Sequence, residues 1–299
     1  KSMTQFNDFH LRESAQKLIE LEGFTEPTAI QAAVIPAALK GRDIIGISET
    51  GTGKTHAFLI PLMEKIKPEL PQVQAVITAP TRELAMQIYN RAKKMMQADS
   101  RLRVRLITGG LDREKMADSI KTQPHLVIGT PGRIKDLFID QEVLRVDTAS
   151  ILIVDEADMT LEFGFLEDID AIASRMGSHL QMMAFSATIP QGLKPFLKKY
   201  MQGPQTIKID QETKMDPKIE HILVPCKHRS YAETLLQILP GFMPYVCLIF
   251  ANTREEAAAT ANALRDANVP VIEIHGGLQP RQRRQAMKQL EHADHSYIV

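Results

Sequence analysis

The sequence contains no tryptophan, and only 5% of its residues are aromatic. Its hydrophobic cores must therefore be largely aliphatic, with the 14 methionines filling irregular gaps. Only two cysteines occur, Cys226 and Cys247, and they lack the spacing of a metal site. Both fall in apolar runs, which favours buried, reduced thiols.

The formal net charge is zero, since 36 Lys and Arg residues balance 36 Asp and Glu residues. Nucleic-acid-binding domains are often basic, so the overall charge does not favour that function, although a neutral protein can carry a local basic cleft. No apolar run approaches the roughly 18 residues that a membrane span needs, and the first residues do not read as a signal peptide. We therefore expect a soluble cytoplasmic protein with no membrane partner.

Short apolar runs alternate with helical patterns along the chain, whose 299 residues suggest about two domains. Ile151–Val154 is apolar on both faces, as a central parallel strand should be. Strands that alternate with helices predict an α/β fold, in which a parallel sheet is covered on both faces. The predicted strands of the first domain lie within Asp43–Ser48, Gln74–Pro80, Val104–Gly109, His125–Thr130, Ser150–Ala157, Gln181–Thr188 and Gln205–Asp210.

The polar stretch 210–217 ends in proline and reads as a linker between a first domain, 1–209, and a second, 218–299. The second series of strands is predicted within His221–Cys226, Tyr245–Asn252 and Val269–Gly276. The last residues, 296–299, resemble the start of another strand.

A phosphate-binding loop is predicted after the first strand. Gly51, Gly53, Lys54 and Thr55 fit the pattern G-x-x-x-x-G-K-[ST], although Ser48 stands where its first glycine is usual. Glycines let consecutive backbone N–H groups face phosphate oxygens, and the following helix adds a partial positive charge. Lys54 can then reach the β- and γ-phosphates, and the Thr55 hydroxyl can hold Mg²⁺. The alternative is a glycine-rich turn that merely connects two elements.

A matching pair of carboxylates follows the apolar strand Ile151–Val154. Asp155 at the strand tip can share the Mg²⁺ with Thr55, and Glu156 can orient or deprotonate the attacking water. The alternative is a pair of solvated acids at a strand end. A phosphate loop needs a carboxylate on a neighbouring strand to hold Mg²⁺, so each motif supports the other. We therefore expect ATP and Mg²⁺ as cofactors, and Lys54, Asp155 and Glu156 as catalytic residues.

The tetrad Asp155-Glu156-Ala157-Asp158 resembles the signature of the DEAD-box ATP-dependent RNA helicases. Phe6 and the stretch Gly23–Gln31 are similar to that family's adenine-recognition motif. The resemblance implies that the Gln31 amide pairs with the adenine edge while Phe6 stacks on the base. A helix end at Gly23 followed by a turn is compatible with this role. The implied ATP-binding set is Phe6, Phe24, Thr28, Gln31, Ser48, Glu49, Thr50, Gly51, Thr52, Gly53, Lys54 and Thr55.

Three further sets resemble the family's RNA-contacting motifs, and each follows a predicted strand. Helix N-termini bind phosphate, and arginines add charge, so contact with the sugar-phosphate backbone is implied. The structural alternative is that they only begin helices, with Thr130 as N-cap and Pro131 at the first helical position. The implied RNA-binding residues are Pro80, Thr81, Arg82, Gly109, Gly110, Thr130, Pro131, Gly132 and Arg133.

Ser186-Ala187-Thr188 resembles the motif that couples the ATP state to RNA strand separation. The hydroxyls of Ser186 and Thr188 are expected to hydrogen-bond Asp158, a contact that the alternative of a simple helix cap does not require.

The chain departs from the family pattern in several places. Ser48-Glu49 replaces the usual Ala-Gln, and Pro280 stands where a glutamine is usual in the second domain, so no role is carried over to it. Leu248–Arg254 and His275–Leu278 do resemble second-domain motifs. Two family motifs, one with an arginine finger, are missing. We therefore expect a C-terminally incomplete chain of two RecA-like domains with weak or absent activity.

The function implied is an RNA-stimulated ATPase that separates short RNA duplexes. ATP and RNA together would close the second domain on the first and bend one RNA strand. One alternative is an ATP-dependent RNA clamp or assembly factor without useful unwinding; another is a DNA translocase on the same scaffold. RNA is the expected partner, with RNP, RNA-decay or ribosome-assembly proteins as further candidates, and the chain is expected to be monomeric.

Overall fold

The computed structural model describes residues 5–49, 51–110, 113–210, 219–244, 246–291 and 296–299. The chain divides into two compact units, Lys1–Lys214 and Met215–Val299. Apart from Asp210, the predicted linker 210–217 lies outside the described residues.

The first unit contains a seven-stranded sheet in which all neighbouring strands are parallel. Each of the seven predicted runs contains one strand, so the prediction of a parallel α/β fold is confirmed. The strand order across the sheet is β3-β4-β2-β5-β6-β1-β7. The strands are β1 (Ile44–Ile47), β2 (Ala75–Thr78), β3 (Val104–Ile107), β4 (Leu126–Gly129), β5 (Ile151–Val154), β6 (Gln181–Ser186) and β7 (Gln205–Lys208).

Helices cover both faces of this sheet. Successive residues of one strand enter different hydrophobic clusters, as Val76 and Ile77 of β2 do, because successive side chains of a strand point to opposite faces. The helices are α1 (Glu13–Leu21), α2 (Ala29–Leu39), α3 (Lys54–Lys65), α4 (Arg82–Met96), α5 (Arg113–Ser119), α6 (Pro131–Lys135), α7 (Ala157–Glu162), α8 (Leu166–Ala173) and α9 (Lys194–Tyr200). Shorter helical turns cover Phe6–Phe9, Asp136–Asp140, Val146–Thr148 and Gln191–Leu193.

The strand order sorts the predicted motifs into two groups along one edge. The phosphate loop, the acidic tetrad and Ser186-Ala187-Thr188 follow β1, β5 and β6, which are neighbours. The three predicted RNA-contacting sets follow β2, β3 and β4, which are neighbours on the other side of β5. Parallel strands end at the same edge, where open α/β sheets bind ligands.

The second unit has a parallel three-stranded sheet in its described part, in the order β8-β10-β9. The predicted strand at the end of the chain is confirmed, and it lies in the centre of this sheet. Helices α10 and α11 pack against each other. The elements are α10 (Tyr231–Phe242), β8 (Val246–Leu248), α11 (Arg254–Asp266), β9 (Val271–Ile272), α12 (Pro280–Glu291) and β10 (Ser296–Ile298).

The prediction of a strand within His221–Cys226 is wrong. This segment is irregular and has no hydrogen-bonded neighbour in the described sheet. Leu223 is 95% exposed, and Pro225 offers no N–H for a ladder. The apolar residues have a high propensity for strands, but a strand also needs a neighbouring strand with which to form hydrogen bonds.

Gly129 at the end of β4 is enclosed by the neighbouring strand. A Cβ atom there would lie 2.1 Å from the backbone oxygen of Ile107, so Gly129→Ala must displace β3 or β4. We predict that the substitution lowers the free energy of unfolding by about 3 kcal/mol, measured by urea denaturation followed by circular dichroism.

Gly177→Ala is the matched control, because a Cβ atom at Gly177 has no neighbour within 4 Å. Its effect should stay within about 0.5 kcal/mol. Equal effects of the two substitutions would contradict the packing described for β4.

Candidate nucleotide and RNA site

The phosphate loop joins β1 to α3. Gly51 and Gly53 have φ angles of 87° and 82°, a left-handed conformation that suits glycine. Thr52 Oγ1 donates to the Glu49 carbonyl at 3.0 Å and lies 3.3 Å from Ser48 Oγ. Ser48 is 3% exposed, so its hydroxyl fills the space beneath the loop. Thr50 lies outside the described residues.

Lys54 lies between the two predicted acids. Its Nζ is 3.1 Å from Asp155 Oδ1 and 2.5 Å from Glu156 Oε1, and its side chain is 7% exposed. Burial disfavours the ammonium charge, but Asp155 and Glu156 outweigh this effect, so the pKa of Lys54 is raised. A phosphate oxygen that approaches Lys54 must therefore compete with Glu156 for the ammonium.

The backbone of Glu156 adopts a left-handed conformation, with φ 50° and ψ 54°, at the N-cap of α7. For a residue other than glycine this costs about 1 kcal/mol or more. The conformation lets the chain turn from β5 into α7 while Asp155 and Glu156 both reach Lys54.

The predicted adenine set is tied to the phosphate loop. Thr28 is the N-cap of α2 and forms a reciprocal capping box with Gln31. The Gln31 amide accepts from the Thr28 N–H at 2.9 Å and donates to the Gly53 carbonyl at 3.2 Å. The rings of Phe6 and Phe24 stack with centroids 6.3 Å apart. Phe6 is 7% exposed, so stacking on a base stays a prediction.

The metal prediction involves Thr55, the second residue of α3, and Asp155. Asp155 is 4% exposed, and its Oδ1 has no hydrogen-bond partner besides the ion pair with Lys54. Burial raises the pKa of Asp155, and the positive charge of Lys54 counteracts this. The described residues include no cluster of three or more acidic, His or Cys ligands. Mg²⁺ usually needs only one or two carboxylates besides phosphate and water, so a buried carboxylate short of donors fits it.

On the other half of the edge, Pro80 is buried and Thr81 caps α4, accepting from the Leu84 N–H at 3.2 Å. The Arg82 guanidinium covers Gly109, since a Cβ atom at Gly109 would lie 2.9 Å from Arg82 Nη2. The first and second of the predicted RNA-contacting sets are therefore adjacent.

In the third set, Thr130 and Pro131 begin α6 as predicted, but the Thr130 side chain accepts no cap hydrogen bond. Gly132 is exposed and adjoins Asp168. The Arg133 side chain is 11% exposed and bonds to Asp136, which lies three residues further along the chain. Arg133 is thus engaged within its own helical segment, and contact with RNA stays a prediction for it.

The contact predicted for Asp158 is present in the structure. Thr188 Oγ1 donates to Asp158 Oδ2 at 3.1 Å, and Ser186 Oγ accepts from the Asp158 backbone N–H at 3.0 Å. Ser186 also donates to the Thr188 carbonyl at 2.6 Å. These bonds join the ends of β6 and β5, but the coupling role of the three residues is not tested by them.

Two residues beside the adenine set were not predicted from the sequence. His56 and Glu22 are both largely buried and lie close to each other and to Phe24. In the sequence, only the position of His56 directly after the phosphate-loop motif could have suggested a role for it.

Comparisons with known proteins agree with this arrangement. Residues 28–196 match the DEAD/DEAH box helicase family. The chain is 45% identical over 297 residues to the DEAD-box ATP-dependent RNA helicase CshB of Listeria monocytogenes, and 48% identical over 298 residues to CshB of Bacillus subtilis. Each comparison covers 99% of this chain and 68% of the relative.

Solved structures confirm the predicted RecA-like fold. A DEAD box protein from Methanococcus jannaschii is 31% identical, with a TM-score of 0.65, over 98% of this chain and 79% of that one. Saccharomyces cerevisiae Dbp5 L327V bound to RNA and ADP BeF3 is 23% identical, with a TM-score of 0.83, over 98% of this chain and 75% of that one, and indicates the fold alone. None of the described helices is both long and apolar enough to cross a membrane.

Replacing Glu156 with glutamine tests the contact with Lys54. Glu156→Gln should slow ATP hydrolysis about a hundredfold or more, because it removes a candidate general base. It should leave ATP affinity equal or higher, because it removes a carboxylate 2.5 Å from Lys54 Nζ. Calorimetric ATP titration and phosphate release measure the two effects.

Glu167→Gln, at an exposed acid on α8, is the control and should change neither quantity. Unchanged hydrolysis in the Glu156 variant, or weaker ATP binding, would contradict the arrangement described here.

Proposed function

The chain belongs to the DEAD-box ATP-dependent RNA helicases, a family of RNA-stimulated ATPases, and we propose that it separates short RNA duplexes by ATP binding and hydrolysis. The observation that carries this proposal is the strand order of the first unit. It brings the phosphate loop and its paired acids to one half of a sheet edge, and the three sets that are predicted to contact RNA to the other half.

In the ATP half, the triphosphate displaces Glu156 from Lys54 and takes its place. Glu156 is then free to orient the attacking water and accept its proton. Thr55 and Asp155 would hold Mg²⁺, which neutralises charge on the phosphates when it is bound. Gln31 places the adenine against the same loop, because its amide is already within hydrogen-bond distance of Gly53.

In the RNA half, backbone N–H groups at the N-termini of α4 and α6 offer partial positive charge to RNA phosphates. Arg82 adds a full charge beside Gly109 and Gly110. Contacts of this kind recognise the sugar-phosphate backbone and carry little sequence preference.

The hydrogen bond between Asp158 and Thr188 couples ATP binding to the separation of RNA strands. Asp158 belongs to the acidic tetrad after β5, and Thr188 follows β6 beside β1. A change at Glu156 on ATP binding lies two residues from Asp158 and can therefore alter this bond. A cytoplasmic location, a monomeric state and RNP, RNA-decay or ribosome-assembly partners stay predictions from the sequence.

The two arginines of the RNA half should behave differently. Arg82→Ala should weaken single-stranded RNA binding and reduce the slope of log affinity against log salt by about 1. Arg133→Ala should mainly lower the free energy of unfolding, by about 3 kcal/mol, because it removes the buried guanidinium that pairs with the Asp136 carboxylate. Fluorescence anisotropy at several salt concentrations and urea denaturation measure these effects.

Arg101→Ala is the matched control, since Arg101 is exposed, pairs with Asp99 and precedes β3 at the opposite edge of the sheet. An equal loss of RNA affinity in the Arg101 and Arg82 variants would overturn the proposed RNA path.

The coupling role of Thr188 can be separated from ATP hydrolysis. Thr188→Val keeps the shape of the side chain and the backbone N–H bond to Asp158, and removes only the hydroxyl bond. Duplex separation should therefore fall about fivefold, as expected for loss of about 1 kcal/mol. RNA-stimulated ATP turnover should change little. A strand-displacement assay and phosphate release measure the two activities.

Thr148→Val is the control, because it removes a similar hydroxyl bond, to Val73 O at 2.7 Å, away from the site. If the unsubstituted chain binds RNA in an ATP-dependent manner and never separates a duplex, the clamp alternative replaces the proposed function.

A further inference from the structure

A polar cluster adjoins the Phe24 ring and has no part in the proposed chemistry. It consists of His56 and Glu22, which are largely buried, and Lys94, which is half-exposed. His56 is the third residue of α3, directly after Thr55, and is 8% exposed. Its Nε2 lies 3.6 Å from Glu22 Oε2, and Glu22 Oε1 lies 3.3 Å from Lys94 Nζ. The cluster therefore joins α1, α3 and α4 next to the predicted adenine set.

His56 makes a close ring contact within this cluster. The centroids of His56 and Phe24 are 4.7 Å apart, with the planes at 84°, an edge-to-face arrangement in the favourable range. Phe24 stacks in turn on Phe6, and Phe6 meets Phe9 edge-on at 6.0 Å. Four rings thus run without interruption from the short helical turn Phe6–Phe9 to α3.

The ring contact has no competing hydrogen bond at Nε2. This atom is buried and has no hydrogen-bond partner among the described residues. The backbone of this residue lies in the first turn of α3, where the Ala57 N–H bonds to the Gly53 carbonyl at 3.1 Å, so His56 is joined to the phosphate loop through one helical turn.

Phe24, by contrast, lies in the segment between α1 and α2. Its backbone N–H bonds to Ile19 O at 3.2 Å, near the end of α1. Beyond this segment, in the first turn of α2, the Gln31 amide bonds to the Gly53 carbonyl of the phosphate loop. The adenine-reading segment is therefore tied to the loop at two points, by a hydrogen bond at Gln31 and by ring packing at Phe24.

We propose that His56 is a positioning residue for adenine recognition, which holds Phe24 and the segment up to Gln31 in register with the phosphate loop. This inference rests on the proposed function, since it assumes that Phe24 and Gln31 face the base. It assigns His56 no contact with the reacting atoms. Its removal should weaken the part of the binding that comes from the base and leave the part that comes from the phosphates unchanged.

The test compares ATP, GTP and inorganic tripolyphosphate, each with Mg²⁺, by calorimetry on the 299-residue chain. His56→Ala should weaken ATP binding about three- to tenfold, the range expected for one aromatic pair, and leave tripolyphosphate affinity unchanged. His56→Phe retains a ring and should restore most of the ATP affinity. Lys94→Ala, in the same cluster but outside the ring contact, should behave like the unsubstituted chain.

The possible failures are distinguishable. Equal affinity of the unsubstituted chain for ATP and GTP would overturn the adenine site itself and, with it, the proposed function at Gln31. A normal preference for ATP in both the chain and His56→Ala would overturn the role of His56 alone. If His56→Ala weakens the binding of ATP and of tripolyphosphate equally, His56 supports the phosphate loop rather than the base site. If His56→Phe fails to restore ATP affinity, ring packing is excluded as the cause.

Discussion

The parallel register of the seven-stranded sheet is the constraint on which the rest of the first unit depends. Six of the predicted motifs, which are the phosphate loop, the acidic tetrad, Ser186-Ala187-Thr188 and the three RNA-contacting sets, follow the carboxyl end of a strand, and a parallel sheet brings those ends to one edge. The predicted adenine set precedes β1 and is joined to this edge by the bond from Gln31 to Gly53. An antiparallel partner for any of these strands would carry its motif to the opposite edge. Burial of the central strands on both faces makes this register stable, because a shift by one residue would exchange the side chains between the two cores.

The same edge carries ion pairs between Lys54 and two carboxylates. Lys54 pairs with both Asp155 and Glu156, and the two carboxylates offset its positive charge in this arrangement. Under the proposed function, ATP binding exchanges the partners of Lys54 rather than simply adding a ligand. The exchange would release Glu156, whose backbone is left-handed and which lies two residues before Asp158, and this proposal links the nucleotide state to the bonds between β5 and β6.

The sequence was sufficient to predict what depends on local pattern. The seven strands of the first unit were predicted because each run is apolar and ends in turn-forming residues, and the motif at Lys54 and Thr55 follows such a run. The strand at His221–Cys226 was mispredicted because strand formation depends on a partner that local pattern does not show. The Arg133–Asp136 pair has helical spacing and could have been predicted from it.

Contacts between distant residues could not be predicted in this way. Lys54 and Glu156 are 102 positions apart, and their pairing follows from the position of β1 and β5 on either side of β6. The packing of His56 on Phe24 likewise depends on how α1 and α3 meet. A family resemblance names the residues of a motif, but the side chains that support them vary with the chain and become visible only in the structure.

Hydrogen–deuterium exchange on the chain alone, with ATP and Mg²⁺, and with single-stranded RNA tests the shared edge most directly. The account predicts that ATP protects the backbone after β1 and β5, and that RNA protects the backbone after β2, β3 and β4. RNA protection confined to the opposite edge of the sheet, or no protection by either ligand at these strand ends, would contradict it.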